Sequence, residues 1–438
     1  MRRKRVYIET YGCQMNKADS EIIKAVLSAS GYSMTAVPER ADVILLNTCS
    51  VREHAEQRVL GRISQLRQLK LENPGLILGV VGCMAQKMGK ELIGEGSGVN
   101  LIAGPDSYRR LPGLLETSNN GSSIDLGLDP EEVYSGINPR REDKVKAWVP
   151  IMRGCDKFCS YCVVPYLRGR ERSRPADEIL EEVKALAEQG HKEVTLLGQN
   201  VNSYKDGATD FADLLRSIDE TTCIQRVRFL TSHPKDMSQK VLHAINESKS
   251  LCEHIHLPLQ SGSSRILARM NRGYNKEQYL QLIRLIREII RGVSISTDII
   301  VGFPGETEED FQETLDVVKE VGFDSAFTYK YSPRKGTRAY EFEDDVPPEE
   351  KQERLERLIC LQRKISASKN QSLVGSRQEV LIEGRNRKGT TLGRTRTDKP
   401  VALQNDSELT PGDIVEVEII GSTSATLIGC ATSPLNHP

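Results

Sequence analysis

The stretch Met152-Arg153-Gly154-Cys155-Asp156-Lys157-Phe158-Cys159-Ser160-Tyr161-Cys162 sets three thiols at C-x3-C-x2-C spacing, close enough for one curled loop to wrap a single metal centre. The alternatives differ in ligand number. A structural zinc site takes four tetrahedral ligands, usually as two C-x2-C pairs. Here one C-x2-C pair stands alone, and neither a second pair nor a spaced histidine pair follows it directly. Bacterial ferredoxin clusters use a run of four cysteines ending in Cys-Pro, which is also missing. Structural core cysteines have no reason to crowd this tightly. Three cysteines on a 4Fe–4S cubane leave one iron with an open position, the feature that separates catalytic from structural metal sites.

This spacing, with the aromatic Tyr161 before the last cysteine, resembles the signature of the radical S-adenosylmethionine superfamily. The resemblance implies that the amino and carboxylate groups of S-adenosylmethionine bind the open iron. It implies further that one-electron reduction releases a 5′-deoxyadenosyl radical, hard chemistry that belongs to the cofactor while the protein positions it.

Around the motif, strand-like runs at 148–153, 193–197, 226–231, 254–259, 294–301 and 324–331 alternate with amphipathic helical stretches such as 176–189 and 277–290. Six βα units predict an α/β fold, an open partial (β/α)6 barrel whose site lies at the carboxyl ends of the strands. Polar and glycine-rich segments fall at those ends: GQNVNSY, SHPKD, LQSGS and GFPGET. By resemblance to the superfamily, Tyr161, Gln199, Asn200, Gln260, Ser261 and Gly262 are candidates for holding S-adenosylmethionine. Ordinary βα-turn chemistry competes with that reading for each loop residue.

Upstream, VYIETYGC, ADVILLNTC and LILGVVGC place Cys13, Cys49 and Cys83 just past three short apolar runs, each followed by a helical stretch (18–30, 53–71 and 86–93). That predicts an α/β domain with a parallel sheet, and all three cysteines would emerge at its carboxyl edge, where such sheets bind ligands. A second three-cysteine cluster is the expectation there, against unrelated buried cysteines as the alternative. Cys223, Cys252, Cys360 and Cys430 show no such pattern and read as structural.

From residue 371 the chain turns to short strands separated by Gly, Asn, Asp and Pro, which predicts a small antiparallel β-barrel. Arg385, Arg387, Lys388, Arg394, Arg396 and Lys399 stand there against a single acid, Asp398, as an electrostatic footprint for phosphates. A solvated charged face is the competing reading. A second patch, Arg168, Arg170, Arg172 and Arg174, follows the cysteine loop and in an extended segment would share one face. Phosphate contact is the favoured reading, with ion pairing to nearby acids as the alternative. The expected layout is 1–118, a linker at 119–143, 144–370 and 371–438, with the amphipathic helix from Pro348 to Lys369 joining the last two units.

Together, ETYGCQMN, NTCSVREHA and RGCDKFCSYCVVPYLRGRERSR resemble the methylthiotransferases over nearly the whole chain, and the tail resembles the TRAM module of RNA-modifying enzymes. The resemblance implies two 4Fe–4S clusters, the second carrying or receiving the inserted sulfur, with one S-adenosylmethionine giving methyl and another giving the radical. NTCSVR resembles the branch acting at C2 of N6-isopentenyladenosine beside the anticodon of tRNA. Other branches take threonylcarbamoyladenosine in tRNA or an aspartate of a ribosomal protein; a non-catalytic iron–sulfur RNA-binding protein is the reading from another class. A flavodoxin or ferredoxin reductant and a sulfur donor are the implied partners. No apolar run of eighteen residues appears among the 438, so no membrane span is expected. No signal-peptide pattern is readable, which implies a cytoplasmic location and makes disulfides an unsuitable reading of ten cysteines. The net charge of −1 decides nothing about nucleic acid, and a monomer is the default expectation.

Overall fold

The structure is a computed structural model and describes residues 3–50, 53–93, 96–404 and 408–434. Strands β1 (Arg5–Tyr11), β2 (Ser33–Met34), β3 (Val43–Thr48), β4 (Ile77–Gly82), β5 (Val99–Ala103) and β6 (Ser123–Asp125) form one parallel sheet in the order β2-β1-β3-β4-β5-β6. β3 and β4 are buried along their whole length, as central parallel strands covered on both faces must be. Helices α1 (Gln14–Ala29) and α4 (Leu111–Thr117) cover one face through Ile22, Ile23, Leu27, Leu111 and Leu115. Helices α2 (Glu53–Glu72) and α3 (Cys83–Met88) cover the other through Val59, Ile63, Leu66, Met84 and Ala85.

The stretch expected to be a linker is partly built into this unit. β6 pairs with β5, and Tyr134 is buried in the sheet's core, stacked on Tyr108 with ring centroids 5.5 Å apart. A polar, Ser/Asn/Gly-rich composition concealed one short edge strand and one anchoring aromatic.

The second unit strings β7 (Lys146–Pro150), the short antiparallel pair β8 (Met152–Arg153) and β9 (Arg172–Ser173), β10 (Glu193–Leu197), the hairpin β11 (Lys205–Asp206) and β12 (Thr209–Asp210), β13 (Arg226–Phe229), β14 (His254–His256), β15 (Ser294–Val301) and β16 (Ser325–Lys330). Six of them run parallel in chain order, β7-β10-β13 and β14-β15-β16, and a bridge between Val227 and Leu251 joins the two halves. Helices α5 (Val164–Arg168), α6 (Ala176–Glu188), α7 (Phe211–Thr221), α8 (Gln239–Glu247), α9 (Ser264–Arg269), α10 (Lys276–Ile289), α11 (Glu308–Val321) and α12 (Pro348–Gln371) complete the partial barrel. Capping boxes at Asp210/Asp213, Asn275/Gln278 and Thr307/Asp310 fix three of the helix starts by satisfying otherwise unpaired N–H groups.

β17 (Arg377–Arg385), β18 (Thr391–Thr395), β19 (Pro400–Gln404), β20 (Ile414–Ser422) and β21 (Leu427–Pro434) close into the expected small barrel, with one departure: β19 and β21 are parallel, the other pairs antiparallel. It seals the amino end of the larger barrel. Arg226 donates to Arg394 O at 2.8 Å and pairs with Glu379, and Arg228 donates to Thr395 O at 2.7 Å. The opposite, carboxyl end carries the loops that build the site. Among the described residues no helix is long and apolar enough to cross a membrane.

Candidate active site

Because β1, β3 and β4 are adjacent and parallel, Cys13, Cys49 and Cys83 arrive at one sheet edge. Cys13 is the N-cap of α1 and Cys83 the first residue of α3. Gly12 before Cys13 lies at φ +138, and a side chain there would run into the Cys49 Cβ, so only glycine permits this approach. Beneath the thiols, Asn16 donates to Asn47 Oδ1 at 3.1 Å and Asn47 donates to Asn16 O at 2.8 Å, which locks α1 onto β3. A hydrogen bond from Cys49, reinforced by Arg168, outweighs burial and brings the Cys13 thiol down to about 6. Burial pushes the Cys83 thiol up.

The C-x3-C-x2-C loop is held from several sides. Gly154 (φ +77) sits against the Arg170 carbonyl where no side chain would fit. Gln199 Oε1 accepts from Gly154 N at 2.6 Å, and Ser160 N donates to Met270 O at 3.0 Å. Arg272, buried, donates to Cys159 Sγ at 3.3 Å and to Tyr161 OH at 3.4 Å. Burial pushes the Cys155 thiol up to about 11 and the Cys162 thiol up to about 12. Such thiols become thiolates when a metal takes the place of the proton.

One short helix links the two sets. α5 begins two residues after Cys162, and its Val163 and Leu167 flank pack on Cys83. From its last residue, Arg168 donates through Nε to Cys83 Sγ at 3.2 Å and through Nη2 to Asp19 Oδ2 at 2.8 Å. Arg153 holds the other Asp19 oxygen at 2.6 Å. Burial alone would raise the Asp19 carboxyl, but the two guanidiniums outweigh it and hold it below the usual range.

The candidate cofactor residues divide. Asn200 Oδ1 and Gln260 Oε1 are buried with no partner, as are Ser232 Oγ and His233 Nε2. These four atoms lie just beyond β10, β13 and β14, an arrangement that suits the polar ribose and amino-acid parts of a bound nucleoside. His233 Nδ1 accepts from Lys235 N at 3.2 Å, so its free Nε2 carries the proton; burial holds the ring neutral, its pKa down to about 2. His233, Ser232 and Arg272 were missed in the sequence, where a lone His-Pro and an Asn-Arg-Gly look like turns. Gln199, Ser261 and Gly262 are engaged within the protein. Gln199 clamps the cysteine loop, while Gly262 N donates to Thr314 Oγ1 at 2.9 Å and Ser261 faces the same hydroxyl, seating their loop on α11. Tyr161 packs into an apolar cluster beside Ile266 and Phe303.

The arginine expectations need correction. Arg168, Arg170, Arg172 and Arg174 do not share a face, because Arg168 ends a helix and Gly169 turns at φ +72 before the short strand β9 begins. Arg172 pairs with Asp106 at 2.5 Å and Arg174 with Glu182 at 2.7 Å; Arg170 alone is well exposed. On the C-terminal barrel, Arg396 pairs with Glu253 and Lys399 with Asp324, so these two face the larger barrel, while Arg394 pairs with Glu383 and Asp398 of its own barrel. Arg385, Arg387 and Lys388 are exposed at the β17–β18 turn.

The donor types fit iron–sulfur chemistry, each set of three cysteines having a buried guanidinium on one sulfur to offset negative charge, although among the described residues no three such side chains close on one metal position as they stand. Fold and site together define a radical S-adenosylmethionine protein, and the Radical SAM superfamily pattern matches residues 149–318. The pattern of uncharacterized protein family UPF0004 matches residues 5–104, and the TRAM domain residues 371–432. Two relatives are tRNA-2-methylthio-N(6)-dimethylallyladenosine synthases: one from Chloroherpeton thalassium, 50% identical over 98% of this chain and 96% of its own, and one from Desulforamulus reducens, 49% identical over 94% and 92%. The radical S-adenosylmethionine methyltransferase TsrM from Kitasatospora setae shares the fold, with a TM-score of 0.56 at 15% identity over 74% of this chain and 72% of that one. The chain belongs to the tRNA-2-methylthio-N(6)-dimethylallyladenosine synthase family.

Proposed function

We propose that the protein adds a methylthio group to C2 of N6-isopentenyladenosine next to the anticodon of tRNA, through two 4Fe–4S clusters and S-adenosylmethionine. Likeness to the named synthases over nearly the full length supports this, and α5 carries it in the structure, because the short helix that follows Cys162 packs on Cys83. Adenine C2 bears a strong C–H bond with no acidic proton, so positioned acids and bases alone do not reach it. When bound, the clusters and S-adenosylmethionine supply the one-electron chemistry and the sulfur.

The chain's own residues hold and orient. Cys155, Cys159 and Cys162 are the ligands proposed for the cluster that takes S-adenosylmethionine, and Cys13, Cys49 and Cys83 for the auxiliary cluster. Arg272 and Arg168 donate to one sulfur in each set. Asn200, Ser232, His233 and Gln260 are the polar atoms proposed to orient S-adenosylmethionine. Arg385, Arg387 and Lys388 supply phosphate contacts to the anticodon stem-loop, a single-stranded target whose base can be splayed into a pocket. A flavodoxin or ferredoxin as reductant, a sulfur donor, a cytoplasmic setting and a monomeric state complete the proposal.

The test is nucleoside mass spectrometry of prenylated tRNA incubated anaerobically with the protein carrying both clusters, S-adenosylmethionine and reductant. The 2-methylthio derivative is expected. Its absence, with both clusters spectroscopically intact, would remove the substrate assignment.

A further inference from the structure

β13 leaves the barrel wall through Leu230-Thr231-Ser232-His233-Pro234, a stretch whose sequence looks like a common turn. A turn that needs a left-handed backbone takes glycine or asparagine, because a Cβ crowds the neighbouring carbonyl there. Thr231 lies at φ +68. Among the described residues it is the one β-branched side chain at positive φ, and the second branch on Cβ makes that backbone costlier than for an unbranched residue. Such strain persists only where the surroundings fix it, and it gathers at functional sites.

The hydrogen bonds show what holds it. Thr231 Oγ1 donates to Gly198 O at 2.7 Å and lies against Leu230 O, while Thr231 O accepts from Val201 N at 3.1 Å. The hydroxyl and the carbonyl of one residue thus both face the loop after β10. Two residues on, His233 N donates to Asn202 Oδ1 and Asn202 Nδ2 donates back to His233 O, both at 2.9 Å. The loop after β10 and the loop after β13 are laced together by these four bonds.

Both loops bear on the cysteine loop. Gly198 lies flat on Met152, three residues before Cys155, and a Cβ there would meet the Met152 Cγ at 2.5 Å. Gln199 clamps Gly154, and Asn200 Nδ2 donates to Asp236 Oδ2 at 2.7 Å, the carboxylate that pairs with Lys157 at 2.6 Å. Asn200 Oδ1, Ser232 Oγ and His233 Nε2 have no partner, and all three stand within two residues of the Thr231–Gly198 bond.

We propose that Thr231 is a positioning residue for S-adenosylmethionine: its hydroxyl pins the β10 loop to the β13 loop and so holds Asn200, Ser232 and His233 at fixed spacing beside the cysteine loop. Partners already in place spare the ligand the cost of ordering them when it binds. The proposal rests on the assignment of those three residues to S-adenosylmethionine under the proposed function, and it adds the residue that spaces them.

The full chain with both clusters reconstituted is reduced with dithionite and titrated with S-adenosylmethionine. Binding is read from the change in the electron paramagnetic resonance spectrum of the reduced cluster. Thr231→Val keeps the branched shape and removes the donor, and it is expected to raise the dissociation constant about tenfold, the effect of one hydrogen bond. Thr231→Ser keeps the hydroxyl and is expected to bind within about twofold of wild type. Thr231→Gly suits the left-handed backbone but lacks the donor, so it is expected to weaken binding as the valine does, and it carries the test if the valine variant does not fold. Hydrogen exchange over residues 198–203 and 231–236, without S-adenosylmethionine, should be faster in the valine and glycine variants than in Thr231→Ser. Thr221→Val removes a hydroxyl bonded to Ser217 O at the end of α7 and is expected to change neither reading.

Wild-type affinity in Thr231→Gly overturns the positioning role. So does weakened binding that Thr231→Ser shares in full, which would make Thr231 a residue of the fold alone. In either case the proposed function stands. A wild type that holds both clusters and whose spectrum S-adenosylmethionine leaves unchanged overturns the cofactor assignment, and this proposal with it.

Discussion

The two cysteine triads face the same problem and solve it with parts of different origin. Each has a buried arginine against one sulfur: Arg272 on Cys159 and Arg168 on Cys83. Arg272 comes from the barrel that also supplies its triad, so that site is complete within one unit. Arg168 comes from the barrel but serves the N-terminal unit, and it is steadied by Asp19 on helix α1 of that unit. The setting of the N-terminal triad is therefore an interface as much as a domain feature. Its arginine is in place only when the two units are docked.

This asymmetry can be broken most severely at the sulfurs. Cys159→Ala is expected to abolish 5′-deoxyadenosine formation and methylthiolation together, while Cys83→Ala abolishes methylthiolation and leaves S-adenosylmethionine cleavage measurable. Product chromatography with iron content and Mössbauer spectra checks this, each variant keeping one cluster of two. If Cys83→Ala kept full methylthiolation, the N-terminal triad would have no part in the chemistry.

The docking itself comes next. Asp19→Asn leaves Arg153 and Arg168 buried without their counter-charge, and breaking a buried pair in this way costs about 3–5 kcal/mol. The loss should show as a lower thermal midpoint. Because the folded Asp19 carboxyl is held low, its contribution is fully present above the unfolded value of about 4 and fades as pH falls through the folded value. The gap between wild type and Asp19→Asn should accordingly narrow in acid. A gap that widened on acidification would refute the assigned ion pair.

A milder probe compares the thiols of metal-free protein. Cys13 is exposed with its thiol down at about 6, whereas burial holds Cys155 at about 11 and Cys162 at about 12. Near neutral pH, iodoacetamide should label Cys13 at least about tenfold faster than either, since the thiolate is the nucleophile. Peptide mapping reads the order, and equal rates would contradict the contrast. The smallest effect separates the arginines beside the loop. Arg170→Ala, at an exposed ion pair, should change stability by less than about 0.5 kcal/mol, and Arg174→Ala, which strips a buried partner from Glu182, by clearly more.

Periodicity and spacing made much of this legible. The six barrel strands and their helices follow from alternating apolar runs, and the contiguous triad from three cysteines in one loop. The dispersed triad was readable only because the same strand-then-cysteine pattern occurs at Cys13, Cys49 and Cys83. The arginines were misread because sequence shows how dense a charge is and not what it meets: Arg172 finds Asp106, Arg396 finds Glu253, and Lys399 finds Asp324, all more than sixty residues away in the chain. For the same reason sequence treated the loop residues alike. Gln199 and Asn200 are neighbours in sequence, yet one clamps Gly154 and the other leaves a bare oxygen at the strand ends.

Sequence alone determined the α/β class, the run of six parallel barrel strands and the small C-terminal barrel, because these depend on local pattern and on side-chain chemistry that does not change with context. Tertiary structure alone decided which cations meet distant acids, which buried polar atoms have no partner among the described residues, and that the N-terminal triad borrows an arginine from the neighbouring unit. Those depend on what lies within about 3 Å in space, and a hydrogen bond or ion pair is indifferent to how far apart its partners stand along the chain.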